Sequence, residues 1–376
     1  MRKYLLIIFL SLFSFSAIHA EIEWSLSEDG TLTISGTDMP DYGYIGCNYP
    51  ASSKTAPWYS QREKIQNLVI EKGVKNIGNY SFYCCSRLVS VSIPNSVTSI
   101  GHCAFIGCCN LISIVIPNSV TEIKSGAFCG CSCLTSVIIP NSVTNIGGAA
   151  FRDCSALTSI KIPNSVKDIN NCIFACCSSL VSVYIPNSVT SIGSSAFSGC
   201  SDLVSITIPN SVKEIGDCAF SDCSSLSSII IPESVTQIRD GAFYGCLNLV
   251  SITLPDSVES LGDYAMFSGC SGLISIRIPE LVTGIAQYTF SNCSALTSIT
   301  IPDSVNWIGD EAFANCSGLS SITFKGNKTP LFDKNVFEGV NKSILVYVPA
   351  NSIEAYKKVL GDYFEETSIQ ALQHKR

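Results

Sequence analysis

Histidine is nearly missing from this 376-residue chain, with three copies, and only 14% of its residues are charged. So little imidazole and such dispersed carboxylates argue against acid–base catalysis and histidine-rich metal centres. Lys and Arg number 23 against 30 Asp and Glu, a formal charge of −7. No basic face can form to hold phosphate backbones, so no nucleic-acid partner is expected. The motifs H-E-x-x-H and G-x-S-x-G and any Gly-rich phosphate loop are absent as well. His102, beside Cys103, stands where other repeats carry Asn171 or Asp217. That marks it as a solvent-facing repeat variant. The chain is expected to be no enzyme and to need neither cofactor nor metal.

Long apolar runs are equally scarce. The one present follows Arg2 and Lys3, extends from Tyr4 to Phe15, and gives way to small residues ending at Ala20. A positive start, an apolar stretch of about a dozen residues and a small residue before the cut describe a secretory signal. Spanning a bilayer would take about 20 apolar residues. Residues 1–20 are therefore read as a signal peptide cleaved near Ala20. The mature protein is expected to be secreted or at the cell surface, and not membrane-spanning.

What the chain has in abundance is register. Pro94, Pro117, Pro140, Pro163, Pro186, Pro209, Pro232 and Pro255 are spaced by 23 residues; Pro279 follows after 24 and Pro302 after 23. Leu88, Val91, Ile93, Ser96, Val97, Ile100, Ala104, Phe105 and Cys108 reappear as Leu157, Ile160, Ile162, Ser165, Val166, Ile169, Ile173, Phe174 and Cys177. A period in the 20s means stacked coils, none of which can bury its own core. The columns fit L-x-x-L-x-L-x-x-N-x-L with Ser in the Asn place, where a small hydrogen-bonding side chain satisfies backbone groups at the turn. Leu281 breaks that column, and Met266 lies between Ala265 and Phe267 as an extra residue. A local bulge is expected there.

Cysteine is the second abundance, with 20 copies. Eleven form a column from Cys85 to Cys316, each three residues after the repeat Phe and three before the repeat Leu. They are read as inward-facing free thiols serving as small apolar fillers. Stacked rungs keep Cβ atoms about 4.8 Å apart, beyond the roughly 3.5–4.5 Å that disulfides favour. The other nine look irregular. Cys109 with Cys133 is the most plausible disulfide pair, on neighbouring coils, and Cys129, Cys131 and Cys133 lack the converging partners of a metal site.

The string "IPNSVTSIGHCAFIGCCNLISIVIPNSVTEI" resembles the BspA-like leucine-rich repeat family, over about residues 65 to 348. "WSLSEDGTLTISG" and "ILVYVPANSIEAYKKVLGDYF" resemble the opening and closing segments of bacterial members. The resemblance implies a repeat solenoid: leucine-rich-repeat coils with a parallel β-sheet on the concave face and small N- and C-terminal caps. It also implies a surface or secreted protein, with adhesion to matrix proteins or cells known among some members. Residues 21–64 are assigned to the N-terminal cap, 65–324 to the solenoid and 325–376 to a closing repeat and cap. Within the caps, Ile22, Trp24, Leu26, Leu32 and Ile34 alternate as a hairpin about Asp29-Gly30. Ser352 is a candidate N-cap for a helix over 353–360.

Side chains alternate along a strand, so the residues four and two before each proline should point outward. The first column is Ser in every full unit. The second varies, and Ile138, Lys161, Tyr184, Thr207, Ile230 and Arg277 are the candidate ligand contacts, since aromatic, Arg and apolar groups supply most interface energy. The alternative is a solvated sheet of small residues. Beside it, Asn95 to Asn210 give way to Glu233, Asp256, Glu280 and Asp303, read as a solubility device. The expected function is adhesin-like binding of an extracellular protein, such as a host matrix protein. Glycan binding and a ligand-free envelope spacer are the alternatives. N-terminal sequencing of the exported protein is expected to start at Glu21; a start at Met1 would refute the signal reading.

Overall fold

The computed structural model describes residues 22–43 and 54–372. The signal with its cleavage point at Ala20, and Cys47, lie outside the described residues. The chain winds as a parallel-strand solenoid of about 13 turns. A typical coil has a three-residue strand such as Ser113–Val115, a turn at the proline, and a two-residue strand such as Glu122–Ile123. A tight return then carries the repeat Phe, Cys and Leu. Strands pair in parallel with the same position of the next repeat, as in Ser159↔Ser182 and Lys161↔Tyr184. One continuous apolar core results, from Leu32 to Ile369.

The centre of that core is a column of rings. Twelve phenylalanines from Phe82 to Phe337 stack coil on coil, with centroids 5.1–5.8 Å apart and planes within 20° of parallel. Offset stacking of this kind satisfies the ring quadrupoles while burying the faces. Beside each ring the backbone is equally repetitive: Phe105 N–H donates to Ala127 O and Phe128 N–H to Ala150 O, both at 2.8 Å. The return is tight because the residues two before and two after every ladder Phe have left-handed backbone, φ +50° to +76°. Gly, Asn or Asp fill most of the second of these positions, as that conformation favours.

The cysteines differ from expectation in two respects. The column is buried and unpaired, yet its thiols are not mere fillers. From Cys108 to Cys316, ten of them donate Sγ–H to the carbonyl of the Phe in the preceding coil, at 3.1–3.3 Å. They satisfy a second lone pair that the Phe carbonyl would otherwise bury. Five of the remaining cysteines are not irregular either: Cys84, Cys103, Cys172, Cys176 and Cys218 all occupy the two left-handed columns. Cys109 and Cys133 do lie on adjacent coils, with Cys133 N–H donating to Cys109 O at 3.0 Å. Both are free thiols in this structure, and Cys109 Sγ is directed at Gly107 O instead.

The Ser column works as the pattern requires at most positions. Ser188, Ser234, Ser257 and Ser304 donate to the preceding coil's Val carbonyl at 2.6–2.7 Å, whereas Ser142 and Ser211 find no partner. Leu281 cannot make the bond and projects outward instead. The extra residue of the 24-residue unit is absorbed between Leu261 and Phe267. That coil forms no short strand between Gln237–Ile238 and Gly284–Ile285, so the irregularity falls in the unit where it was expected.

Both ends close on the ring column. An antiparallel hairpin, Glu23–Leu26 with Thr31–Ser35, lays its second strand beside Asn67–Ile70. Trp58 stacks on Phe82 at 5.6 Å and donates its Nε1–H to Ser81 O. At the far end the helix Ile353–Leu360 buries Tyr356 and Leu360, and Phe364 and Tyr363 cover Phe337. Ser352 precedes that helix but does not cap it; its hydroxyl donates to Asn327 O at 2.7 Å. Strand Ile369–Ala371 then pairs with Leu345–Val348.

Burial raises the Cys85, Cys177 and Cys316 thiols from 9.0 to about 12. Below pH 9 these groups are neutral in both states. Between 9 and about 12 only the unfolded chain ionises, so unfolding gains with rising pH. Urea midpoints are expected to fall across that window, and thiolate absorbance to appear only together with unfolding. Thiolate absorbance from column cysteines in still-folded protein would contradict the burial.

Candidate functional site

Alternation within each three-residue strand decides which side chains meet solvent. The middle residue points into the core; the serine before it and the variable residue after it point out. The candidate contacts lie on this outer strand face. Ile138 is 71% exposed, Ile230 76% and Tyr184 52%. Lys161, Thr207 and Arg277 are exposed too. Val115, left out of the candidate set, is 69% exposed and pairs directly with Ile138. Its place in the variable column was the available signal.

Three shallow depressions follow one another along this face. The first, about 610 Å³, is lined by Val115, Ile138 and Pro117 together with Asn95 and Asn118. The second, about 520 Å³, holds Lys161, Tyr184 and Thr207. The third, about 310 Å³, holds Ile230 with Asn210 and Pro232. In the second, Lys161 Nζ lies 5.6 Å from the centre of the Tyr184 ring. Ring and ammonium belong to paired strand positions, so the next rung supplies a cation–π contact that steadies a long side chain.

Arg277 is placed differently. It lies on the strand face but is ion-paired with Asp256, and Lys325 is paired with Glu280 at 2.7 Å. Two of the four acidic edge residues thus neutralise cations, which goes beyond a solubility device. The candidate set therefore separates into a neutral stretch carrying one cation, from Val115 to Ile230, and an acidic stretch around Arg277. A second apolar stripe was not foreseen: Val89, Ile112, Val181, Val204, Val250 and Ile274, each just before its strand, are all exposed. Thr135 and Thr297 in that column turn their hydroxyls to the preceding coil's carbonyl instead.

His102 is half-buried rather than fully solvent-facing, its ring edge-on to Tyr80 at 5.4 Å. Among the described residues no group of three His, Cys, Asp or Glu side chains converges on a metal position. No helix among them is long and apolar enough to cross a membrane.

The BspA type leucine-rich repeat region matches in overlapping segments, 57–181, 145–273 and 236–360, which together cover most of the repeats. The chain belongs to the BspA-type leucine-rich repeat family. Among solved structures, a leucine-rich repeat protein from Bacteroides ovatus is 29% identical, covering 94% of this chain and 98% of its own, with a TM-score of 0.72. One from Eubacterium ventriosum is 25% identical over 85% of this chain and 92% of its own, with a TM-score of 0.53. No curated protein matches the chain.

If the outer column is free of folding duty, Ile138→Thr with Ile230→Thr should change stability by no more than about 0.5 kcal/mol per site. Thr already fills this column at Thr207 and Thr253. Thermal unfolding checks it; a large loss of stability would mean that these side chains belong to the core.

Proposed function

We propose that this BspA-type protein is exported, acts at or beyond the cell surface, and binds other proteins through its strand face in the manner of an adhesin. The observation that carries the reading is the run of large exposed apolar side chains, Val115, Ile138 and Ile230, set along one face with Tyr184 and Lys161 between them. Isoleucines this exposed add little to the buried core. An apolar and aromatic strip on a rigid parallel sheet is the composition of an interface core. Repeat solenoids offer extended surfaces of this kind, on which outer columns vary while inner columns stay constant. The glycan alternative would call for several aromatic platforms, and Tyr184 is the single aromatic among the candidate contacts.

The test is a binding screen of residues 21–376 against immobilised extracellular-matrix proteins and a glycan array. Saturable binding to a protein is expected, lost in Lys161→Ala with Tyr184→Ala while the melting curve stays unchanged. Protein binding unaltered in that double variant would move the site off the strand face. Binding to glycans alone would establish the carbohydrate reading, and silence on both would leave a structural spacer.

A further inference from the structure

We infer that the partner presents an acidic residue flanked by apolar side chains in an extended segment, which lies along the solenoid axis over the stretch from Ile138 to Ile230. The inference rests on the strand-face reading above and names the chemistry of the partner.

Charge is unevenly placed along the strand face. Consider the strand residues and edge asparagines of the coils from Ser113 to Asn210. Lys161 is the one charged side chain in that set. Among the described residues it forms no ion pair. The second half of the face is the reverse. Arg277 and Lys325 are each matched by a carboxylate, and Glu233 and Asp303 stand in the same edge row without an ion pair. An anionic segment is therefore attracted at Lys161 and repelled beyond Ile230. The cation is also held ready: the Tyr184 ring fixes Nζ from one side, leaving ammonium donors for an incoming carboxylate.

Apolar contacts bracket the charge. Ile138 is one rung before Lys161 and Ile230 is three rungs after it. At about 4.8 Å per rung, the two isoleucines are about 19 Å apart. An extended chain rises about 3.3 Å per residue, so side chains about six residues apart reach both. A peptide with apolar residues at that separation and a carboxylate nearer the Ile138 end satisfies all three positions together.

The experiment uses the mature chain and two synthetic peptides, each with leucines about six residues apart. One carries aspartates between the leucines, the other asparagines. Fluorescence anisotropy reads the affinity, and oligogalacturonate serves as a carboxylated-sugar competitor. The Asp peptide is expected to bind at least about tenfold more tightly than the Asn peptide, with affinity falling as salt rises. Lys161→Gln should remove the difference between the peptides, whereas Lys213→Gln, which removes a charge away from the strand face, should not. Circular dichroism and melting of both variants establish that they are folded.

Equal affinity for the two peptides, binding of neither, or discrimination that survives Lys161→Gln overturns the inference. Stronger binding of oligogalacturonate than of the Asp peptide overturns it in favour of a uronate ligand. The screen against matrix proteins separates this outcome from failure of the underlying reading. Protein binding that is lost with Ile138→Thr and Ile230→Thr but indifferent to Lys161→Gln keeps the strand face and discards the acidic partner.

Discussion

A phenyl ring lying on the ring of the next coil is the contact that sets everything else in this molecule. To place successive rings at 5.1–5.8 Å, each coil must return to the same point after the same path. Path length is thereby held near 23 residues, and the left-handed pairs around each Phe make the return sharp enough. The one 24-residue unit shows how firmly the ring column holds. The extra residue is displaced into the short-strand side, where pairing lapses, while Phe243, Phe267 and Phe290 stay stacked. Polar ladders run beside the rings. Phe carbonyls accept from cysteine thiols and Val carbonyls from serine hydroxyls, so the interior of a thin solenoid carries few unsatisfied groups.

That constraint divides the residues into two populations. Inward columns answer to stacking and scarcely vary. Outward positions of the same strands are not held by the ring column, so a side chain such as Ile230, three-quarters exposed, can change without disturbing the stacking. The division of the strand face into a neutral stretch and an acidic one follows the same logic. Arg277 finds Asp256 at the neighbouring edge, whereas the edge beside Lys161 offers only asparagine.

The state of the thiols follows from the architecture. A disulfide would draw two adjacent rungs together and pull Sγ from its carbonyl. Burial keeps the column protonated and out of reach, so a cysteine-rich chain can keep reduced thiols through its fold alone. The cysteines on the left-handed columns are less evenly protected: Cys103 is buried, whereas Cys176 is exposed.

Much of this was legible in the sequence, because a repeat writes its contacts as a period. The 23-residue spacing, the inward columns, the outward positions of Ile138, Lys161 and Tyr184, the hairpin cap and the site of the bulge all follow from spacing and alternation, which are properties of the chain. Other features depended on which atoms face one another across coils. The sequence shows Cys and Phe three apart, but only the stacked backbone reveals that a thiol meets the carbonyl of a Phe 26 residues earlier. It places Arg277 on the strand face, but only the tertiary structure joins it to Asp256 and leaves Lys161 uncompensated. Ser352 likewise has the composition of a cap, and the proximity of Asn327 directs its hydroxyl elsewhere. Periodicity along the chain determined the architecture and the exposed columns. Neighbours brought together from different coils decided the hydrogen bonds and the charge balance of the face.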